Sequence, residues 1–209
     1  MNSNKGAVIC ATIAGILGAI IWAWIGYQFH IRIGYIAIGI GALVGLAAAM
    51  GAGGEADTNT GIMAAIIAVV AITFGRYAVY HFAVEDWIKE YQQTIDHNTA
   101  LHDIANDIVT EKMASGSQLA WPTGRSPSDW TDPSELPPKI WGEANARWQG
   151  LTADQRTQRI EDLRTAARLE LKSDRSGQIP SFFQALSFFD YLYAFVAAAA
   201  AFKLGGGFD

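Results

Sequence analysis

The feature that most constrains this chain is where its charges are missing. No charged residue occurs from Ala7 to Ile25, from Ile33 to Gly54, or from Thr58 to Gly75, and a further run, Phe182 to Phe202, is broken only by Asp190. Runs of about 20 apolar residues are long enough, as helix, to cross a hydrocarbon layer roughly 30 Å thick. Every Lys and Arg except Lys5, Arg32 and Lys203 lies between Arg76 and Arg175. The pattern predicts an all-α integral membrane protein with four transmembrane helices and a soluble helical insert between spans three and four. The expected organisation is a three-span bundle over residues 1–83, an insert over 84–180, and a fourth span with a C-terminal tail over 181–209.

A cleaved signal peptide is the competing reading of the first run, with Lys5 as its basic region. The apolar stretch is too long for that, and Ile20, Ile21, Trp22 and Trp24 stand where small residues would mark a cleavage site. The single cysteine, Cys10, lies in this run and supports neither a disulfide framework nor a cysteine metal site. The net charge of −5 and the mixed signs of the insert exclude a nucleic-acid surface.

Small residues recur every fourth position in the first two spans: Ala7, Ala11, Gly15, Ala19 and Ala23, then Ala37, Gly41, Gly45, Ala49 and Gly53. Apolar surface alone does not drive helices together in lipid, so close backbone approach along such stripes holds a bundle. The two stripes predict a tight hairpin of spans one and two, and packing surface beyond what one hairpin needs. Ala11, Gly15, Ala19, Gly41, Gly45 and Ala49 are the packing residues expected. The string "GIGALVG" follows no strand and lies inside a span, which argues against a nucleotide loop.

No proline interrupts the chain from the third span to Pro122, so one long helix is expected to leave the bilayer through "AVEDWIKEYQQTIDHNTALHDIANDIVTEKM". Apolar positions in it follow helical spacing apart from a gap after Ile95. The Pro/Ser-rich stretch 115–138 reads as loop, one that packs on something because it carries Trp121 and Trp130. Helix is expected again near Lys139 to Trp148, and from "LTADQ", where Thr152 and Gln155 form a capping box. Ile160, Leu163, Ala167 and Leu171 then form an apolar stripe that needs a partner.

Candidate chemistry is sparse. His97 and His102 are five residues apart and diverge on a helix, as do His102 and Asp103, so Asp96, His97, His102, Asp103 and Asp107 read as a solvated polar face. No catalytic residue, metal ligand or cofactor site is expected. Charges within spans are functional hypotheses in their own right. Arg76 and Asp190 sit about 9 Å and 12 Å inside the insert-side boundary if spans three and four meet it near Phe82 and Phe182. They are predicted to form an ion pair, with Tyr77, Tyr80 or Tyr193 taking leftover hydrogen bonds.

Arg32, Lys89, Lys172 and Arg175 near the spans on the insert side, with Arg76 near the end of span three, against Lys5 and Lys203 on the other, place the insert in the cytoplasm and both termini outside. The expected role is a non-enzymatic subunit whose partners are the lipid bilayer and copies of itself or other membrane subunits. A small ion, proton or solute channel or transporter using Arg76 and Asp190 is the alternative.

Four stretches carry a family resemblance: "GILGAIIWAWIGYQFHIRIGYIAIGIGALVGLAAAMG", "ITFGRYAVYHF", "FFDYLYAFVAAAAAFKLGGG" and, more weakly, "EANARWQGLTADQR". Together they resemble a group of multi-span membrane proteins of bacteria, found in Planctomycetes and related lineages. In that pattern Arg76 fills the basic position of the third span and Asp190 the acidic position of the last. The resemblance implies the topology, a bacterial inner membrane and no activity.

Overall fold

A computed structural model of the chain describes residues 3–29, 34–122, 125, 130, 132–173 and 177–206. Arg32 and Arg175 of the charge argument lie outside them. Among the described residues the protein is helical throughout: α1 Ser3–Phe29, α2 Tyr35–Gly51, α3 Thr58–Thr94, α4 His97–Ala114, α5 Ile140–Gly150, α6 Ala153–Lys172 and α7 Phe188–Gly205, with a single 3-10 turn at Pro133–Glu135. The chain forms two compact units, Met1–Asp86 with Ile179–Asp209, and Trp87–Gln178.

Three helices, α1, α3 and α7, are long and apolar enough to cross a membrane. The uncharged run of the second expected span contains a helix of only 17 residues, because it stops at Gly51 and turns through Gly53 and Gly54, both at positive φ. At 1.5 Å per residue α2 is about 25 Å long. The turn hands over to α3 at Asp57, whose carboxylate accepts from the Thr60 backbone N–H and hydroxyl at 2.8 Å each.

The first unit is packed inside out. Its core is mostly alanine, including Ala11, Ala37, Ala48, Ala64, Ala68, Ala197 and Ala201, while Ile20, Phe74 and Phe195 are 60%, 67% and 73% exposed. In water that would leave large apolar groups hydrated and bury only small ones; in lipid, small residues at the contact are what allow close packing. The second unit has the opposite plan. Leu101, Ile104, Ile108, Ile140 and Trp148 are its buried core, and Trp121 and Trp130 of the loop pack against it.

The small-residue stripes are used differently from expectation. A Cβ on Gly41 would collide with the Ala197 carbonyl, and one on Gly45 would fall 2.6 Å from the Ala201 carbonyl oxygen. That stripe of α2 therefore faces α7, not α1. Gly15 meets Ala71, Ile67 and Val44, and Ala19 backs Gly75, so much of the α1 stripe serves α3. The α1–α2 contact runs through Gly6 against Gly51 and Gly18 against Ile40. Ala11 is fully buried in this core and Ala49 half-buried. The stripes are thus spent largely inside one chain, and periodicity alone could not say which neighbour each would meet.

The long helix expected to run from the third span to Met113 is broken. α3 ends at Thr94, and Asp96 starts α4 by accepting from the backbone N–H groups of Asn98 at 2.8 Å and Thr99 at 3.1 Å. The end of α3 is closed by a residue from another helix: Arg164 of α6 donates to the carbonyls of Gln92 and Ile95, both at 3.1 Å, while Gln92 Nε2 donates back to the Arg164 carbonyl at 3.0 Å. Asp96 and Arg164 together stabilise the break that the gap after Ile95 marks in the sequence.

α6 begins as expected, with Thr152 N–H donating to Gln155 Oε1 at 2.9 Å and Gln155 N–H to Thr152 Oγ1 at 3.3 Å. Its Ile160 and Leu163 pack on the α4–α5 cluster. Arg147 of α5 grips Glu111 of α4 with both terminal nitrogens, at 3.1 and 2.7 Å, and Lys112 pairs with Glu143 at 3.0 Å. Those donors hold both glutamates below their ordinary pKa, Arg147 acting first on Glu111 and Lys112 on Glu143.

The close approaches in α2 make a prediction with an internal control. Gly41→Leu or Gly45→Leu pushes α7 away from α2 and should destabilise the folded chain itself by about 1–3 kcal/mol or more. Gly39→Leu, which meets nothing within 4 Å, should be tolerated. Thermal unfolding of the three variants in detergent separates them.

Candidate functional site

Charges of two helices of the first unit meet at Arg76 of α3 and Asp190 of α7. Arg76 Nε donates to Asp190 Oδ1 at 3.1 Å, and the two side chains are 17% and 25% exposed. The second carboxylate oxygen, Oδ2, accepts from the Ser187 backbone N–H at 2.7 Å and from the Ser187 hydroxyl at 2.9 Å. Ser187 is the residue that caps α7, and Asp190 stands in its first turn.

Asp190 is therefore not where the sequence placed it. The apolar run from Phe182 suggests a helix already eight residues old at Asp190, but α7 starts at Phe188 and 181–187 is turn. A carboxylate in a first helical turn lies at the positive end of the helix dipole and satisfies N–H groups that no residue of the helix can reach. The "SFFD" string fits the Ser-x-x-acid signature of a helix start before an apolar run. That signal identifies Ser187, the functional residue that sequence reasoning missed.

The surroundings fix both partners. Tyr80 Oη donates to the Pro180 carbonyl at 2.7 Å, and the Phe182 ring lies against Tyr77 and Tyr80, with centroids 5.4 and 5.7 Å apart. The incoming chain is thereby tied to the turn of α3 that carries Arg76. Tyr193 is placed elsewhere, 5.5 Å from the Tyr35 ring, with Gly34 beneath it where a Cβ would overlap the ring. The donors that complete the carboxylate's bonding are thus the N–H and hydroxyl of Ser187, one turn away, where Tyr77, Tyr80 or Tyr193 was expected.

Three of roughly four acceptor positions on the carboxylate are occupied. The carboxylate is held by a guanidinium, a backbone N–H and a hydroxyl. The arrangement binds α3 to the start of α7.

The polar residues at the start and along α4 lie toward solvent, with Asp96, His97 and Asp107 exposed and His102 and Asp103 half-buried, and each also has a partner. His102 stacks on Trp130 at 5.0 Å and 8°, with Trp141 edge-on at 5.2 Å, and His97 lies 4.9 Å from Trp148. Asp103 and Asp107 both receive Arg159 Nη2 at 2.5 Å. Each group that resembled a ligand set is engaged in packing or pairing. Among the described residues no group of three or more His, Cys, Asp or Glu is disposed to hold a metal.

No protein-family model, curated protein or solved structure matches the chain. The site is thus read from its own geometry.

That geometry predicts an asymmetric mutant cycle. Arg76→Ala removes a charge-assisted bond worth about 1.5–3 kcal/mol, and Ser187→Ala removes only the hydroxyl that donates to Asp190, worth about 1 kcal/mol. Asp190→Ala loses both sets and should be the most destabilising of the three. Exchanging the charges, Arg76→Asp with Asp190→Arg, should recover little, because a guanidinium at a helix start opposes the dipole and accepts no hydrogen bond. Chemical denaturation of the five proteins, wild type included, tests the order.

Proposed function

We propose that this chain is a non-enzymatic membrane protein with four spans, α1, α2, α3 and α7, acting as a structural or accessory subunit of a homo-oligomer or larger membrane complex of the bacterial inner membrane. The observation that carries the reading is the fate of its two intramembrane charges. Arg76 and Asp190, the residues a channel or transporter would use, are taken up in joining two helices and capping one of them. The inside-out packing of the first unit supports lipid as its solvent. α2 is included as the fourth span because it is wedged between α1 and α7 at the centre of that packing.

Because the glycine stripes serve contacts within the chain, the surface left for a partner is elsewhere. An apolar groove of about 340 Å³ between α1 and α3, with Gly15, Ala19 and Ala71 at its base and Ile16, Ile20 and Phe74 beside it, has room for apolar side chains of a partner helix. In this reading Trp87–Gln178 is the cytoplasmic unit and both termini are periplasmic. Reporter fusions test that topology: a cytoplasm-active reporter should work after Gly124, and a periplasm-active one after Gly54 and Asp209.

Native mass measurement in mild detergent tests the subunit role, and a multimer or a stable hetero-complex is the expected outcome. A lone monomer that conducts protons in liposomes, with conduction lost in Asp190→Asn, would replace this reading with the transport alternative.

A further inference from the structure

Tyrosine and tryptophan are distributed unevenly along the first unit. Trp24, Tyr27, Tyr35, Tyr77 and Tyr191 are exposed, and all lie at the end of the bundle where α1 finishes, α2 starts and α7 starts. Contacts such as Tyr27 with Phe82, Tyr35 with Tyr193 and Tyr77 with Phe182 join the helices at this level. At the opposite end the described residues around Ser3, Gly51, Thr58 and Gly205 carry neither Tyr nor Trp. Amphipathic rings collect where one side of the ring meets hydrocarbon and the other meets water.

The entry to α7 lies at the same level and poses a sharper physical problem. Residues 181–187 are not regular helix; the backbone turns through Ala185 N–H to the Ser181 carbonyl at 3.0 Å, and Ser181 N–H is met by Gln184 Oε1 at 2.9 Å. Non-helical backbone exposed to the hydrocarbon interior would strand polar groups without partners. Yet this segment also presents Phe183 at 75% exposure and leads into Phe188 at 74%, large apolar surfaces that water penalises. Neither water nor hydrocarbon accommodates both. Only the headgroup boundary offers hydrogen-bonding partners to the backbone and apolar contact to the rings at once.

Helix length agrees. α7 is 18 residues, about 27 Å at 1.5 Å per residue, against a hydrocarbon core of roughly 30 Å. It crosses that core only if Phe188 starts at the boundary, with nothing of 181–187 used inside it.

We propose that the segment Pro180 to Phe189, with the exposed tyrosines and tryptophans around it, is an interfacial anchor that docks on the lipid headgroup region and sets the depth of the bundle. This rests on the membrane-spanning reading above. It also places the Arg76–Asp190 pair at the headgroup boundary, where the start of α7 is within reach of water, and not about 12 Å down in hydrocarbon as the unbroken apolar run implies.

The test is depth measurement in the full-length chain, reconstituted in vesicles of phosphatidylcholine and phosphatidylglycerol. In a Cys10→Ala background, single cysteines at Phe183, Phe188, Phe195 and the exposed loop residue Gln118 take a nitroxide label. The three ring positions point outward, so the label displaces no core packing. Collision with dissolved oxygen and with a water-soluble nickel chelate reports depth. The labels at 183 and 188 should be reached by both reagents, and the label at 195 by oxygen alone, about 10 Å deeper than 188 along the helix. If 183 behaves like 118, the segment is in water and the anchor is wrong. If 183 behaves like 195, it is in hydrocarbon and the anchor is equally wrong. If 195 itself behaves like 118, the spanning reading falls, and the anchor with it.

Discussion

The contact on which the first unit depends is the approach of α2 to α7 without side chains between them. At Gly41 and Gly45 the α2 backbone lies directly against the carbonyls of Ala197 and Ala201. The far end of α7 is closed the same way, with Gly205 against Ala64 and Gly61 against the Phe202 carbonyl. In a soluble protein the exclusion of water from large side chains would supply the drive. Here the large side chains are outside, and the stabilisation comes from dispersion between atoms brought close over a long, shallow interface. Such an interface tolerates small changes poorly, because no flexible side chain is available to give way.

Asp190 shows how a charge can be held among apolar helices by structural bonds. Its carboxylate performs three tasks: it meets Arg76, it accepts from the Ser187 backbone N–H, and it stands at the positive end of α7. An asparagine could keep one or two of these but not the charge that the guanidinium requires. The pair and the cap are a single structure, so the lateral placement of α7 beside α3 and the residue at which α7 begins are settled together.

Much of this was legible in the residues. Uncharged runs revealed the apolar helices, Thr152 and Gln155 announced the start of α6, and opposite charges in two apolar runs pointed to the meeting of Arg76 and Asp190, though the depth given to Asp190 was wrong. The misreadings have a common physical origin. An apolar run in 181–187 says what a segment is soluble in, not whether its backbone is helical, and the Ser187 cap decides the latter. Likewise the stripe of Gly41 and Gly45 says that something approaches closely, and tertiary packing decides that it is α7. The break at Ile95 and Asp96 was faintly visible as a lapse in periodicity, but Arg164, which closes α3 from 69 residues away along the chain, leaves no local signal.

The pairing of α2 with α7 also has a dimension in time. α2 ends at Gly51 and α7 starts at Phe188, so the whole of the second unit is made between them. At a synthesis rate of about 5–20 residues per second, the bare glycine face of α2 waits roughly 7 to 30 seconds for its partner. During that interval α1 and α3 can already settle against one another through Gly15 and Gly75, leaving a slot beside α2. The bundle is therefore closed last by α7, and a ribosome that stalls before it leaves behind a half-built bundle with an open seam.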